Sequence, residues 1–450
     1  MRKIIILFFA IVVLFCSCRK ESDYVPYIGE SHKLAYNTYE EQFVFLWKCI
    51  STGYVFWDVD STDWDAIYDN YLPRFKAFDQ RHAAGLDVSI DELNNTYSEI
   101  FDGMKDHHMM VSIQNIHPVP AEGGRLAVIR PGRAEVSERD YFIEQSNIEK
   151  ISILSFLNGI DSLGYTILTH ESGTFPFQEE AISSSVTYHY ILFQLSDGRL
   201  VPYLWQSMAA FTPVILSLGD GSETSAGAQL LDHWLRAITD TPRNKLAGII
   251  LDNRANNGGY QDDLDYLIGT FLSERAEVMK TRYKEGPGRQ EYSQWLPYYI
   301  YPNKTYHRDI TAENIPYVII CDINSISMGE IEPFCAKEVL PTCHTIGERT
   351  YGATGPLQPY TDINLNYGGP FGDGMTFYGH YVYTSTFEAL IGGKVTEGIG
   401  HIPDQIVLRK DHNGDFAPQL DAALNYDGLF SLLKCMVYVP FSGAGRPVKQ

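Results

Sequence analysis

The chain has 450 residues, 44% of them hydrophobic and 13% aromatic, which is enough apolar material for two or three packed domains and excludes a disordered chain. A formal net charge of -21 argues against a nucleic-acid partner, because no basic surface is left to release phosphate counterions.

The first residues, MRK followed by IIILFFAIVVLF, join a positive start to an apolar run too short to span a bilayer comfortably, which predicts a targeting segment. The run closes on FCSC, where Cys18 resembles the cysteine of a bacterial lipobox. The resemblance implies that residues 1–18 are a lipoprotein signal peptide and that Cys18 is the lipidated first residue of the mature protein. An ordinary cleaved secretion signal or an uncleaved anchor is the alternative. Residues 19–35, opening RKESD, then form a polar tether. The folded body is expected in the cell envelope, periplasmic or surface-facing, held to the membrane by the lipid anchor only. Cys49, Cys321, Cys335, Cys343 and Cys435 are odd in number and show no CxxC spacing, so neither a disulfide framework nor a zinc site is predicted. An oxidising compartment would permit one bridge among Cys321, Cys335 and Cys343.

Residues 36–115 are predicted to form a helical domain. Phe43, Leu46, Trp47 and Ile50 recur at spacings of three and four, and a second helix is expected from Ser61 or Thr62, with Asp63, Asp65 and Asp69 in its early turns. A third runs from Ser89 to Met104 on Leu93, Tyr97, Ile100 and Phe101. The aspartates of VFWDVDSTDWD suit helix capping better than calcium. Residues 116–205, with RLAVI, VTYHYILFQL and LVPYLW, predict a β-rich middle module, in which no carboxylate-binding loop of the PDZ kind appears. From 206 to 440 strands and helices alternate as in an α/β core. AGAQLLDHWLRAITD is helical, KLAGIILDNR and IPYVIICD are apolar strands covered on both faces, and a helix follows Ser327 with Pro333 predicting a kinked or shifted start.

Two stretches bear on chemistry. In DINSISMGE, Ser327-x-x-Glu330 fits a capping box, in which the hydroxyl accepts from a backbone N–H and Glu330 reaches back. A serine at a strand-to-helix junction is equally placed to act as a nucleophile, because the free N–H groups of the helix start can receive an oxyanion. In LAGIILDNRANNGG, an apolar strand ends in polar groups and two glycines, at the end of a parallel strand where α/β sites gather. DHNGDF lacks the glycine and the distal glutamate of an EF-hand, and no HExxH, GxSxG or P-loop occurs.

LDNRANNGG, CDINSISMGE, IGERTYGATG and EGIGHIPD follow one another in the order of the tail-specific, or C-terminal-processing, serine peptidases, and the chain resembles that family over about 206–440 and, through KDHH, over 36–113. The resemblance implies a crotonase-like (ClpP/crotonase-type) α/β peptidase core and a polypeptide substrate, and with those metal and nucleotide motifs missing no cofactor and no metal is expected. It maps the nucleophile onto Ser327 and the oxyanion donors onto the N–H of Met328 and of Gly258 or Gly259. One branch of the family takes its base from a lysine after GExTxG; here that place is Ala353. The other branch, resembling tricorn protease, uses a histidine at the end of the helical region, which maps onto His108 in MKDHHMMV, and a glutamate that maps onto Glu397. His107 stands where tricorn-like members carry the serine of their catalytic tetrad. His401 replaces a small or apolar residue and is either a bystander or a competing base. Asp404 is expected to order its own turn through backbone hydrogen bonds. The implied activity is hydrolysis of peptide bonds in unstructured or C-terminal segments. The alternative is a catalytically silent relative that binds a peptide or a hydrophobic ligand in the same cleft.

Overall fold

The computed structural model describes residues 37–132, 165–179, 182–212, 226–286, 288–357, 375–377, 380–412 and 417–426. The expectations for Cys18, the tether and Cys435 lie outside the described residues. In chain order the main elements are α1 (Tyr39–Gly53), α2 (Trp64–Ala83), α3 (Ile90–Phe101), β1 (Met110–Gln114), β2 (Leu126–Ile129), β3 (Thr166–Glu179), β4 (Ile182–Gln194), β5 (Leu200–Gln206) and α4 (Ala226–Thr239). There follow β6 (Ile249–Asp252), β7 (Ala276–Arg282), β8 (Leu296–Ile300), β9 (Tyr317–Cys321), α5 (Met328–Val339), β10 (Cys343–Gly347), β11 (Met375–Phe377), β12 (His380–Tyr383), β13 (Glu388–Ile391), β14 (Lys394–Val395), β15 (Gln405–Ile406) and α6 (Ala417–Leu424). The chain divides into two compact units. Among the described residues no helix is long and apolar enough to cross a membrane.

The first unit takes Met1–Glu135, Lys280–Leu296 and Gly355–Leu390. Among the described residues its three helices each begin on a side-chain cap: Thr38 accepts from Glu41 N–H, Asp63 from Ala66 N–H and Ser89 from Glu92 N–H, at 3.0–3.1 Å. The second helix therefore starts at Trp64, two or three residues later than its sequence suggests. Asp60 is drawn off instead to the Tyr54 hydroxyl and the Lys105 N–H, and Asp58 pairs with Arg282. The aspartates of this stretch are thus spent on caps and partners. The indoles of Trp47 and Trp64 each donate to the other's carbonyl, at 2.7 and 3.1 Å, and Phe43 stacks on Phe75 at 4.4 Å, which locks α1 to α2. Strands β11-β12-β1-β2 form an antiparallel sheet, and β13 pairs with β7 through Glu388↔Arg282.

The second unit takes Val136–Met279, Pro297–Thr354 and Ile391–Gln450, and its seven-stranded sheet has the order β15-β10-β9-β6-β5-β4-β3. Strands β15 to β5 run parallel; β4 and β3 turn antiparallel. The boundary expected at 205 falls inside β5, which pairs with β4 on one side and with β6 on the other. VTYHYILFQL and LVPYLW, expected in a separate β-rich middle module, are therefore an extension of the α/β sheet, because β5 offers hydrogen bonds along both of its edges, and RLAVI is β2 of the first unit's sheet. The parallel strands are buried on both faces. Ile250, Val318, Ile320 and Ile346 face Leu420, Ala423 and Leu424 of α6, and the alternate residues Ile249, Leu251 and Ile319 are equally enclosed. Cys321, Cys335 and Cys343 are buried free thiols, so the permitted bridge is not formed.

At the end of β6 the Arg254 guanidinium, fully buried, pairs with Asp252, which also accepts the Tyr203 hydroxyl at 2.8 Å; Gln419 takes a further Arg254 N–H at 3.1 Å. Arg254→Met should strand a buried carboxylate and lower the unfolding free energy by about 3–5 kcal/mol in urea titrations, whereas the double variant Asp252→Leu/Arg254→Met should recover most of that loss.

Candidate active site

The loop leaving β9 sorts its two serines. Ser325 is fully buried: its hydroxyl donates to the Asn253 carbonyl at 2.7 Å and accepts from the Asp322 N–H at 2.9 Å. It clamps the end of β9 to the end of β6 and has nothing left for chemistry. Ser327 is different. It precedes α5 with φ +55° and ψ −120°, a conformation that L-residues avoid, and its side chain makes no capping bond. The capping box expected at Ser327 and Glu330 is therefore absent.

Glu330 instead reaches sideways. Fully buried, its carboxylate accepts the Thr350 hydroxyl at 2.6 Å and the N–H groups of Gly352, at 2.8 Å, and Ala353, also at 2.6 Å. This holds the IGERTYGATG loop against the helix start, and the Ala353 carbonyl in turn accepts the Ser327 N–H at 3.1 Å. A backbone so strained stands only where its surroundings fix it, and this chain of bonds supplies the fixing.

The helix start leaves one donor over. Gly329 N–H goes to the Ile326 carbonyl, and Glu330 and Ile331 N–H both go to the Ser327 carbonyl. Met328 N–H has no acceptor among the described residues. Proline at 333 removes the partner of the Gly329 carbonyl, and Asn253 Nδ2 takes its place at 3.3 Å, so the helix runs unbroken from Met328.

The Gly-Gly pair lies alongside. Gly258 has φ +114°, and a Cβ there would stand 2.8 Å from Ser327 Cβ; only glycine lets this loop approach the serine. Gly258 N–H is engaged by Asn256 Oδ1 at 2.9 Å. Gly259 N–H has no acceptor among the described residues, which singles it out of the two. Ser327, Met328, Gly258 and Gly259 are thus gathered in the second unit.

Glu397, also in this unit and buried, accepts the Thr354 N–H at 2.7 Å and the Thr354 hydroxyl at 3.3 Å. His401 is no free base: its Nε2 lies 3.0 Å from the Thr345 hydroxyl, its ring meets Phe334 edge-on, and burial lowers its pKa to about 4. Asp404 does not order its own turn. Its carboxylate crosses to β10, accepting the Thr345 N–H and hydroxyl, and pairs with Lys337 at 2.9 Å.

In the first unit, His108 sits just ahead of β1. Burial, with the charge of His107 added, lowers its pKa to about 3, so the imidazole is neutral. Its Nε2 is enclosed with no hydrogen-bond partner among the described residues, while Nδ1 faces the Ser385 hydroxyl at 3.4 Å. His107 is buried against Gly132, where a Cβ would come within 2.5 Å of the ring. Two residues absent from the sequence reading stand here. Asp106, fully buried, accepts the His108 N–H at 2.9 Å and the Ser385 N–H at 2.7 Å, and burial raises its pKa to about 6. Asp106 lay within the quoted KDHH; Ser385 belongs to no motif and carried no signal.

Residues 223–404 match the model of a family described as Peptidase family S41, and the matched segment holds every site residue assigned here to the second unit. No curated protein sequence matches the chain. Among solved structures, a candidate peptidase from Parabacteroides merdae ATCC 43184 aligns with a TM-score of 0.55 at 18% identity, covering 86% of this chain and 96% of that one. Mature CPAF aligns with a TM-score of 0.52 at 11% identity, over 88% of this chain and 98% of its own, and mature CPAF complexed with lactacystin with 0.51 at 11%, over 88% and 99%. At such identities the likeness is one of fold, a mixed α/β architecture.

Behind the site, Glu332 is fully buried between Asn253 Nδ2, at 2.8 Å, and the Tyr317 hydroxyl, at 3.2 Å, and burial raises its pKa from 4.5 to about 8. The folded state therefore keeps a proton that the unfolded chain releases near 4.5, so the contribution of Glu332 to stability is greatest in acid and falls as pH rises from 4.5 to about 8. Thermal melting between pH 6 and 8 should show that fall in the native chain and a visibly shallower one in Glu332→Gln.

Proposed function

We propose that the chain is a serine peptidase of the tail-specific kind with a crotonase-like core, cutting unstructured or C-terminal polypeptide segments in a cell envelope to which Cys18 tethers it. One observation carries the reading: Ser327 is held in a strained conformation at a helix start, its hydroxyl unused as a cap, beside the N–H groups of Met328 and Gly259, which have no acceptor among the described residues. The family match over 223–404 supports the peptide bond as the substrate.

In this reading Ser327 Oγ attacks the scissile carbonyl and the neutral imidazole of His108 takes the hydroxyl proton at Nε2. The same nitrogen returns the proton to the leaving amine, and water then releases the acyl group by the same route. Met328 and Gly259 N–H receive the negative oxygen of the tetrahedral intermediate; losing one such donor typically costs about 10²–10³ in rate. Glu397 stabilises the imidazolium as it forms. His107 packs the base's segment and moves no proton. In this reading the imidazole of His108 takes the part of the lysine whose place Ala353 occupies.

Ser327→Ala should lose cleavage of an unstructured peptide by at least about 10³-fold and all labelling by a fluorophosphonate probe, with an unchanged melting temperature. Ser325→Ala should lower the melting temperature, because two buried hydrogen bonds go, and should keep its labelling. A native chain that binds peptide saturably without turnover or labelling would establish the silent relative instead. His108→Ala should leave peptide binding intact and lower turnover by about 10²–10⁴-fold.

A further inference from the structure

A neutral imidazole has one donor and one acceptor nitrogen, and which is which depends on what the other atom meets. In the first unit the partner of His108 Nδ1 is the Ser385 hydroxyl, at 3.4 Å. That hydroxyl has a single proton, and Asp106 Oδ1 claims it at 3.0 Å. Its lone pairs are then what Nδ1 meets. An Nδ1 opposite a lone pair carries its own proton, so Nε2 is left with its electron pair free.

The arrangement is built from several directions. Asp106 is fixed by three donors, the N–H of His108 and both the N–H and the hydroxyl of Ser385, so its carboxylate spans the base and the serine at once. Ser385 lies between β12 and β13, more than 270 residues from the histidine in sequence. Gly355 leaves the space: a Cβ there would stand 2.5 Å from Ser385 Oγ and 2.7 Å from Phe56 Cζ. Nε2 itself is buried without a partner among the described residues, an orphaned acceptor of the sort that a reaction can use.

We propose that Ser385 is the positioning residue of the base: its hydroxyl, polarised by Asp106, holds His108 in the tautomer with the proton on Nδ1 and the lone pair on Nε2. The tautomer stands on the geometry of this unit alone, and its consequence for turnover rests on the peptidase reading above.

The test uses the full chain labelled with [15N]histidine, in native form and as Ser385→Ala and Ser385→Thr, read by the long-range nitrogen–proton pattern of His108 and by peptide turnover. The native chain and Ser385→Thr should show the Nδ1–H pattern. Ser385→Ala, in which the residue 385 N–H still holds Asp106, should stay folded with a lowered melting temperature, because the buried hydroxyl bonds go, and should shift His108 toward the Nε2–H form. Its kcat should fall by about 10²-fold with KM within about twofold, and Ser385→Thr should restore most of the loss. An Nδ1–H pattern that survives in Ser385→Ala, or is lost in Ser385→Thr, overturns the proposal. A native chain that never turns over peptide while Ser385→Ala still switches the tautomer overturns the peptidase reading and leaves this one standing.

Discussion

The Glu330 carboxylate, buried and bonded to one hydroxyl and two backbone N–H groups, is the constraint from which the site follows. A non-glycine residue at φ +55° and ψ −120° costs about 1–3 kcal/mol and relaxes unless its neighbours forbid it. Glu330 ties down residues 350–353, the Ala353 carbonyl then holds the Ser327 N–H, and the serine side chain is left with no capping bond to its own helix. An ordinary capping box would have used the same two residues to relieve strain; this fold uses them to keep it.

Behind that turn a second buried network carries the load. Ser325, Asn253, Asp322 and Glu332 lace the ends of β6 and β9 to α5, and Asn253 meets the carbonyl that Pro333 leaves without a helical partner. The two glycines complete it from the other side: Gly258 by lying against Ser327, Gly259 by lying so close to Ala209 that a Cβ would stand 1.9 Å from its carbonyl oxygen. The loops can approach one another this nearly because the parallel strands beneath them are enclosed on both faces and hold their ends in register.

Much of this was legible along the chain. The helices of the first unit follow from apolar spacing, with Ser89 marking the start of the third, and the apolar runs at 249–251 and 317–321 lie on parallel strands; the caps Thr38 and Asp63 emerge only in the structure. Local patterning could not tell that β5 has two bonded edges, so the hairpin of β3 and β4 looked like a module of its own. It could not tell a cap from a nucleophile at Ser327, since the sequence of the two is the same and only the backbone angles separate them. Asp404 resembles a local turn-former along the chain because its partner on β10, some 60 residues earlier, leaves no trace nearby. Ser385 was invisible for the same reason: its meaning lies in a contact with Asp106 and His108 that only folding creates.

The central claim is that the strained serine, and not its buried neighbour, is the reactive group. Intact chain treated with a fluorophosphonate and digested should yield one modified peptide spanning residues 316–337, with fragmentation placing the adduct on Ser327. An adduct on Ser325, or an unmodified peptide under conditions that label other serine hydrolases, would contradict the account.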